Sequence, residues 1–562
     1  MLGYVCKYTP VDIIESFGEK AYRINPVVSN FNKADSLLHT NMCAYSKAVL
    51  EECYNKNIDK LVLVNCCDSI RRLYDVLKKD SFFKFIHMID LPRKLNFYSH
   101  NLFLNEISNF IDSYEKFSNK KFNANNLSKI LDSKLTNCHN NVCTKNNIIV
   151  LGARCENYLL DIINKTNFSV VNLTCTGDNF NYKNININTS KNLVKNYCNT
   201  LLNQFPCMRM CDTNPRYDYI KTNKKNITGI IYHTIKFCDY YSFDYVKLKN
   251  LFDIPMLKIE TDYSLQSQGQ LKTRIDAFME SLKNSLNDSP NKSLRNSSLE
   301  PSNKITAGID SGSTSTNVVI LDSDKNILSY SIVKTGAKSL DGAEKALKLA
   351  LHKANLSLEQ LDYVISTGYG RISIPFANEK VTEITCHGKG AYFLNNNIRT
   401  IIDIGGQDSK VISLDDAGNV KDFAMNDKCA AGTGRFLENM CRVLEISIND
   451  IGKESLKWKN DLTITSMCTV FAESEVVSLI AQNKDKSDIL HGLCKSISNR
   501  TLSLVNRVDK KQEIMMTGGV AKNIGVVNTL QELLNEKIYV PKEPEIVGAL
   551  GAAIIALEKL LQ

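Results

Sequence analysis

Cys429, in Asn-Asp-Lys-Cys-Ala-Ala-Gly-Thr-Gly, and Cys468, in Thr-Ser-Met-Cys-Thr-Val-Phe-Ala-Glu, each stand just ahead of a run with helical character, Arg435–Leu444 and Val470–Gln482. Thiolates at helix N-termini lie at the positive end of the macrodipole, which favours an anionic ligand set. A [4Fe–4S] cluster is held by four thiolates. Two such cysteines per chain therefore complete one only when a second copy of the chain supplies the other pair, which joins cluster and homodimer in one expectation. On spacing alone the alternative is two buried structural thiols, because free cysteine is among the most buried residue types.

A second set of residues could hold phosphate. In Asp310-Ser-Gly312-Ser313-Thr314-Ser315 a glycine turn places backbone N–H groups and three hydroxyls where phosphate oxygens can be gripped, and Asp310 can reach a Mg²⁺ ion or its water. One such turn occurs more often as ordinary structure than as a phosphate site. Here the pattern recurs: Asp403-Ile-Gly405-Gly406-Gln407-Asp408 offers carboxylates and an amide suited to a metal and an attacking water. A third turn, at Gly518-Gly519, follows the apolar run Glu513–Met516 and could pass under an adenosine. Three glycine turns in this order point to ATP and Mg²⁺.

Thirteen of the 18 cysteines precede residue 240. Cys66 and Cys67, and again Cys238, follow directly on strand-like runs, and cysteines at strand C-termini converge in the crevice of an open α/β sheet, where ligands bind. Cys43, one of the pair Cys66 and Cys67, and Cys238 would supply three thiolates, the set of a cluster with one iron left open. Scattered small core residues are the alternative reading. Cys386, Cys441 and Cys494 read as structural thiols.

The elements that must position these residues are legible as apolar runs. Leu61–Val64, Phe85–Ile89, Ile148–Leu151, Ser169–Leu173, Ile227–Tyr232 and Met256–Ile259 alternate with helical patterns, which argues an α/β architecture with parallel sheets. Residues 1–145 and 146–284 read as two lobes, 285–304 as a Ser- and Asn-rich linker with two prolines, and 305–562 as the ATPase, itself two related lobes. At 562 residues, with 43% hydrophobic and 23% charged, the chain is globular with roughly three or four domains. The net charge of +9 comes from dispersed lysines without aromatic interleaving, so no nucleic-acid partner is expected; the eight histidines have no zinc-site spacing. No apolar stretch approaches the roughly 20 residues that span a bilayer, and the first residues do not form a secretory signal. A cytoplasmic protein without a membrane partner is expected, and its cysteines more often serve metal or redox chemistry than disulfides.

Residues 305–558 resemble the ATP-dependent activators of 2-hydroxyacyl-CoA dehydratases and the related benzoyl-CoA reductase ATPase subunits, in the actin, hexokinase and Hsp70 fold superfamily. The matching stretches are Asp310–Thr316, Ser366–Arg371, Glu383–Ala391, Asp403–Asp408, both cysteine segments, Gly518–Ala521 and Pro544–Ala553. The resemblance implies one [4Fe–4S] cluster at a dimer interface on Cys429 and Cys468, fed by a low-potential ferredoxin or flavodoxin and discharged into a partner on ATP hydrolysis. Residues 2 to about 282 resemble the dehydratase component that such activators reduce, through Tyr8–Ile13, Cys43, Cys67-Asp68, Leu91–Arg93, Lys236–Asp239 and Gly269–Arg274. This resemblance implies a second iron–sulfur cluster on Cys43, Cys67 and Cys238. Its Cys-Asp pattern favours Cys67 over Cys66, and extra cysteines at Cys175, Cys207 and Cys211 fit the related double-cubane cluster proteins. Such dehydratases pair two similar subunits, whereas this chain carries one. The expectation is an electron donor fused to its own acceptor; the rivals are an activator with a docking N-terminal half for a separate dehydratase or reductase subunit, and a plain metabolite kinase.

Overall fold

The computed structural model describes residues 1–39, 41–135, 146–155, 157–166, 168–177, 180–182, 185, 192–264, 268–287, 304–427, 430–464 and 469–561. The chain divides into two compact units, Met1–Ile275 and Asp276–Gln562, and the division falls inside the helix Gln268–Asn287.

The first unit holds two parallel four-stranded sheets. In one the order is Ala21–Arg23, Leu2–Tyr4, Lys60–Val64, Phe85–Ile89; in the other it is Ser169–Asn172, Asn147–Gly152, Ile227–Ile235, Met256–Thr261. Runs such as Leu61-Val-Leu-Val64 are buried without alternation, as parallel strands covered on both faces must be. Helices such as Ser99–Ser118 cover the sheets, with Phe103, Ile107, Phe110 and Tyr114 one turn apart on its buried face.

The second unit repeats one topology. Ile327–Lys334, Ser315–Leu321 and Thr306–Ser311 form an antiparallel meander, to which Tyr363–Thr367 and Glu379–Lys380 add in parallel. Val420–Asn426, Ser409–Leu414, Thr400–Ile404, Ile514–Thr517 and Ile538–Tyr539 follow the same order and directions. The duplication places the two central strands, and the carboxylates Asp310 and Asp403 they carry, in equivalent positions. The α/β class expected from the apolar runs is what the chain adopts. Among the described residues no helix is long and apolar enough to cross a membrane.

Candidate functional site

The first two glycine turns are built alike. Gly312 N–H donates to the Ser315 carbonyl at 3.0 Å and Gly405 N–H to the Asp408 carbonyl at 3.0 Å, closing the hairpins that follow Asp310 and Asp403. The turns also meet: a Cβ on Gly406 would collide with the Thr314 side chain. Ser311 Oγ and Thr314 Oγ1 are buried without a hydrogen-bond partner, which leaves hydroxyls for phosphate oxygens. Ser313, Ser315 and Gln407 are half-buried on the two turns, and Gly519 is exposed beside Gly518.

Beneath the turns lies a buried charge cluster. Lys410 Nζ stands 2.6 Å from Asp408, 3.1 Å from Asp403 and 3.5 Å from Glu383. His387 lies between the lobes' carboxylates, 3.9 Å from Asp310 and 3.8 Å from Asp403, and Thr517 donates to Asp403 at 2.9 Å. Burial pushes the Glu383 carboxyl up to about 8 and raises Asp310. Asp403 experiences the same desolvation, yet His387, Lys410 and the Thr517 hydroxyl hold it down at about 2. Four carboxylates face one lysine and one histidine, so acidic groups outnumber basic ones and positive charge is in deficit. A divalent cation would close that deficit. Among the described residues no group of three or more His, Cys, Asp or Glu side chains forms a ready metal site. Mg²⁺ is ordinarily held by one or two carboxylates plus nucleotide phosphates, so a dedicated cage is not what this chemistry requires.

Sequence reasoning singled out Asp310, Asp403 and Asp408, and the structure brings them together. It missed Lys410, Glu383, His387 and Thr517 as members of the cluster. Lys410 had one signal, a lysine inside the otherwise buried strand Ser409–Leu414.

Duplication extends to the turns after Thr367 and Thr517. Gly368 (φ 81°, ψ −178°) and Gly518 (φ 82°, ψ 173°) occupy a region open essentially to glycine alone. A Cβ on Gly368 would come within 2.6 Å of Asp310 Oδ1, and one on Gly518 within 2.9 Å of Asp403 Oδ1 and against the Ile404 carbonyl. Gly518→Ala should lower stability by about 1–3 kcal/mol and displace Asp403, which chemical unfolding together with an ATPase assay will read; an alanine variant with native values of both would show that the turn relaxes freely.

Cys429 and Cys468 lie outside the described residues. The helices after them are present as Gly434–Val443 and Thr469–Ala481. The first hangs from the second glycine turn: Gly434 N–H donates to the Gly405 carbonyl and Arg435 N–H to that of Gly406, each at 2.9 Å. The second exposes Val470, Phe471, Val477 and Ile480. Cys386, Cys441 and Cys494 are buried.

In the first unit Cys43, Cys67 and Cys238 are each the N-cap residue of a helix, Ala44–Asn55, Asp68–Leu77 and Asp239–Leu251. Cys43 hydrogen-bonds to Cys238, and both feel the charge of Cys67. The contacts continue from Cys67 to Cys66 and from Cys66 to Cys6, while Cys175 pairs with Cys207 and Cys6 senses both. Seven thiols are thus linked by successive pairwise interactions. The Cys66 thiol and the Arg209 guanidinium hold Cys67 below the ordinary thiol range; Cys43 and Arg209, whose Nη2 donates to Cys238 Sγ at 3.3 Å, do the same for Cys238. Cys207, with Arg154, Arg23 and Lys7, does so for Cys175. Helix N-termini and cations are the surroundings that favour thiolate ligands. Cys211 is exposed. Cys6 carried no sequence signal, since the strand it follows, Leu2–Tyr4, is too short for a pattern.

Residues 307–556 match the BadF/BadG/BcrA/BcrD ATPase family, and residues 6–141 and 131–282 match the 2-hydroxyglutaryl-CoA dehydratase D-component. The activator of lactoyl-CoA dehydratase from Anaerotignum propionicum is 45% identical over 253 residues, 45% of this chain and 97% of that protein. The (R)-2-hydroxyglutaryl-CoA dehydratase activating ATPase of Acidaminococcus fermentans is 42% identical over 255 residues, 45% of this chain and 97% of that protein. The (R)-phenyllactyl-CoA dehydratase beta subunit of Clostridium sporogenes is 31% identical over 134 residues, 22% of this chain and 34% of that protein.

Proposed function

The chain belongs to the BadF/BadG/BcrA/BcrD ATPase family, with a region matching the 2-hydroxyglutaryl-CoA dehydratase D-component ahead of it, and on that footing we propose that it spends ATP to pass low-potential electrons from one iron–sulfur centre to another within the same chain. The observation that carries this reading is the set of three helix N-caps, Cys43, Cys67 and Cys238, that meet in the D-component half. Each cysteine of a cubane binds its own iron, so ligands to a cluster need not converge on one ion. The donor set fits: thiols, helix N-termini and neighbouring cations, with Cys6, Cys66, Cys175 and Cys207 adjoining as further thiols for a larger assembly.

Cys429 and Cys468 are the proposed ligands of a [4Fe–4S] cluster shared by a cytoplasmic homodimer. The exposed apolar residues on the helix after Cys468 support a second copy there. Such clusters supply one-electron transfer at a potential set by charge, hydrogen bonds and solvent access. On the ATPase side, Gly312, Ser313, Thr314 and Ser315 grip phosphate with Gly405 and Gly406. Gly518 and Gly519 border the nucleoside. Asp310 and Asp403 hold Mg²⁺ or its waters, and Gln407 or Asp408 orients the attacking water. Lys410 neutralises the carboxylates that the metal does not use. Because the helix after Cys429 is hydrogen-bonded to the turn at Gly405-Gly406, movement of that turn around nucleotide moves the ground on which the cluster stands. A ferredoxin or flavodoxin is the proposed electron source.

Anaerobic purification with iron and sulfide counting tests the reading. Native protein should contain iron in both halves. Cys67→Ser and Cys238→Ser should each remove the D-component cluster while leaving the other cluster's EPR signal in place. Iron confined to the ATPase half would replace the acceptor with a docking module for a separate dehydratase or reductase subunit; iron-free native protein would return the chain to a metabolite kinase.

A further inference from the structure

The D-component match runs to residue 282, whereas the compact unit containing the ATPase begins at Asp276. Residues 276–282 are therefore dehydratase-type by sequence and fold with the ATPase. Two of them grip its nucleotide-site machinery. Glu280 accepts hydrogen bonds from the Thr382 backbone N–H at 3.1 Å and from the hydroxyls of Thr382 and Thr385. Thr382 is the N-cap of the helix Glu383–Leu394 and its side chain caps nothing. Glu280 satisfies the N-cap's own N–H and places a carboxylate at the positive end of that helix. The same helix carries Glu383 and His387 into the charge cluster. One turn earlier, Asp276 pairs with Arg371 at 3.5 Å, and Arg371 Nη1 donates to the Gly368 carbonyl at 3.2 Å, in the turn packed against Asp310. Between the two grips Ala277 is fully buried, in one apolar cluster with Ile384 and Ala391.

We propose that Asp276 and Glu280 are positioning residues for ATP hydrolysis, and that through them the state of the nucleotide site reaches the last helix of the D-component sequence. This rests on the ATPase reading and adds to it a route. Asp310 and His387 cannot shift around bound nucleotide without loading the Gly368 turn and the Glu383–Leu394 helix, and one short segment restrains both. Neither residue lies on the glycine turns assigned to the nucleotide; the two pair with Thr382, Thr385 and Arg371. Their loss therefore falls on the hydrolytic geometry more than on binding.

The test uses the full chain. In native protein, hydrogen–deuterium exchange over residues 276–287 should slow about tenfold when Mg²⁺ and a non-hydrolysable ATP analogue are added. Glu280→Ala should bind the analogue yet lose that protection, with kcat for ATP down about tenfold and KM within about twofold. Glu280→Gln, which keeps an acceptor for Thr382 and Thr385, should restore most of both. Exchange over 276–287 indifferent to nucleotide in native protein, which needs no variant to fold, would overturn the inference, as would Glu280→Ala with native kcat. A native chain that hydrolyses no ATP would overturn the ATPase reading together with it.

Discussion

Serine in place of Cys429 or of Cys468 should strip the ATPase half of its iron and end electron delivery, while leaving the fold of that half intact. A cubane shared by two chains takes one sulfur of each kind from each copy, so a single substitution removes two of four ligands at once. Serine retains the size of cysteine and loses the soft thiolate. Dimerisation should weaken in the same variants, because Val470, Phe471, Val477 and Ile480 are exposed in the single chain and a shared cluster would hold their helices face to face. Iron content and sedimentation of anaerobically prepared variants read both effects. A monomer carrying a complete cubane after either substitution would dispose of the shared-cluster account.

How much of this was legible beforehand varied with the range of the interaction. Apolar runs such as Leu61–Val64 and Phe85–Ile89 announced strands because a covered parallel strand needs a continuous buried stretch, and they appear as Lys60–Val64 and Phe85–Ile89. Leu2–Tyr4 and Ala21–Arg23 were not read, being three residues each and specified by their neighbours in the sheet. The glycine turns were legible because turns are local. Lys410, Glu383 and His387 were not assigned roles, since their meeting depends on the packing of two lobes whose residues lie far apart in sequence. The thiols divide the same way: Cys67 and Cys238 follow strands and can be ranked by position, whereas Cys6 acquires meaning only from Cys66 and Cys175 beside it. The grip of Glu280 on Thr382 and Thr385 was equally invisible, because the polar stretch after it reads as a boundary while the helix before it carries the contact.

Asp310→Asn should reduce ATP hydrolysis on the order of 10²–10³-fold, the scale on which one preorganised transition-state contact is felt. The substitution preserves shape and removes one of the four carboxylates around Lys410 and His387, so folding should be little affected. Burial already raises Asp310, and a bound divalent cation would favour its ionised form. Iron in the ATPase half should be unchanged, because no cluster ligand is altered. Steady-state hydrolysis and iron content on one preparation separate these statements; native turnover in the variant would remove Asp310 from the hydrolytic machinery.

The central claim is that nucleotide turnover gates the electron. Native protein, reduced anaerobically with a low-potential donor and freeze-quenched for EPR, should show the reduced signal of the ATPase-half cluster without nucleotide. When MgATP is added that signal should decay as a second signal grows from the D-component half, and Asp310→Asn should keep the first signal and fail to develop the second. Transfer at the same rate with and without MgATP would contradict the account even if every ligand assignment held.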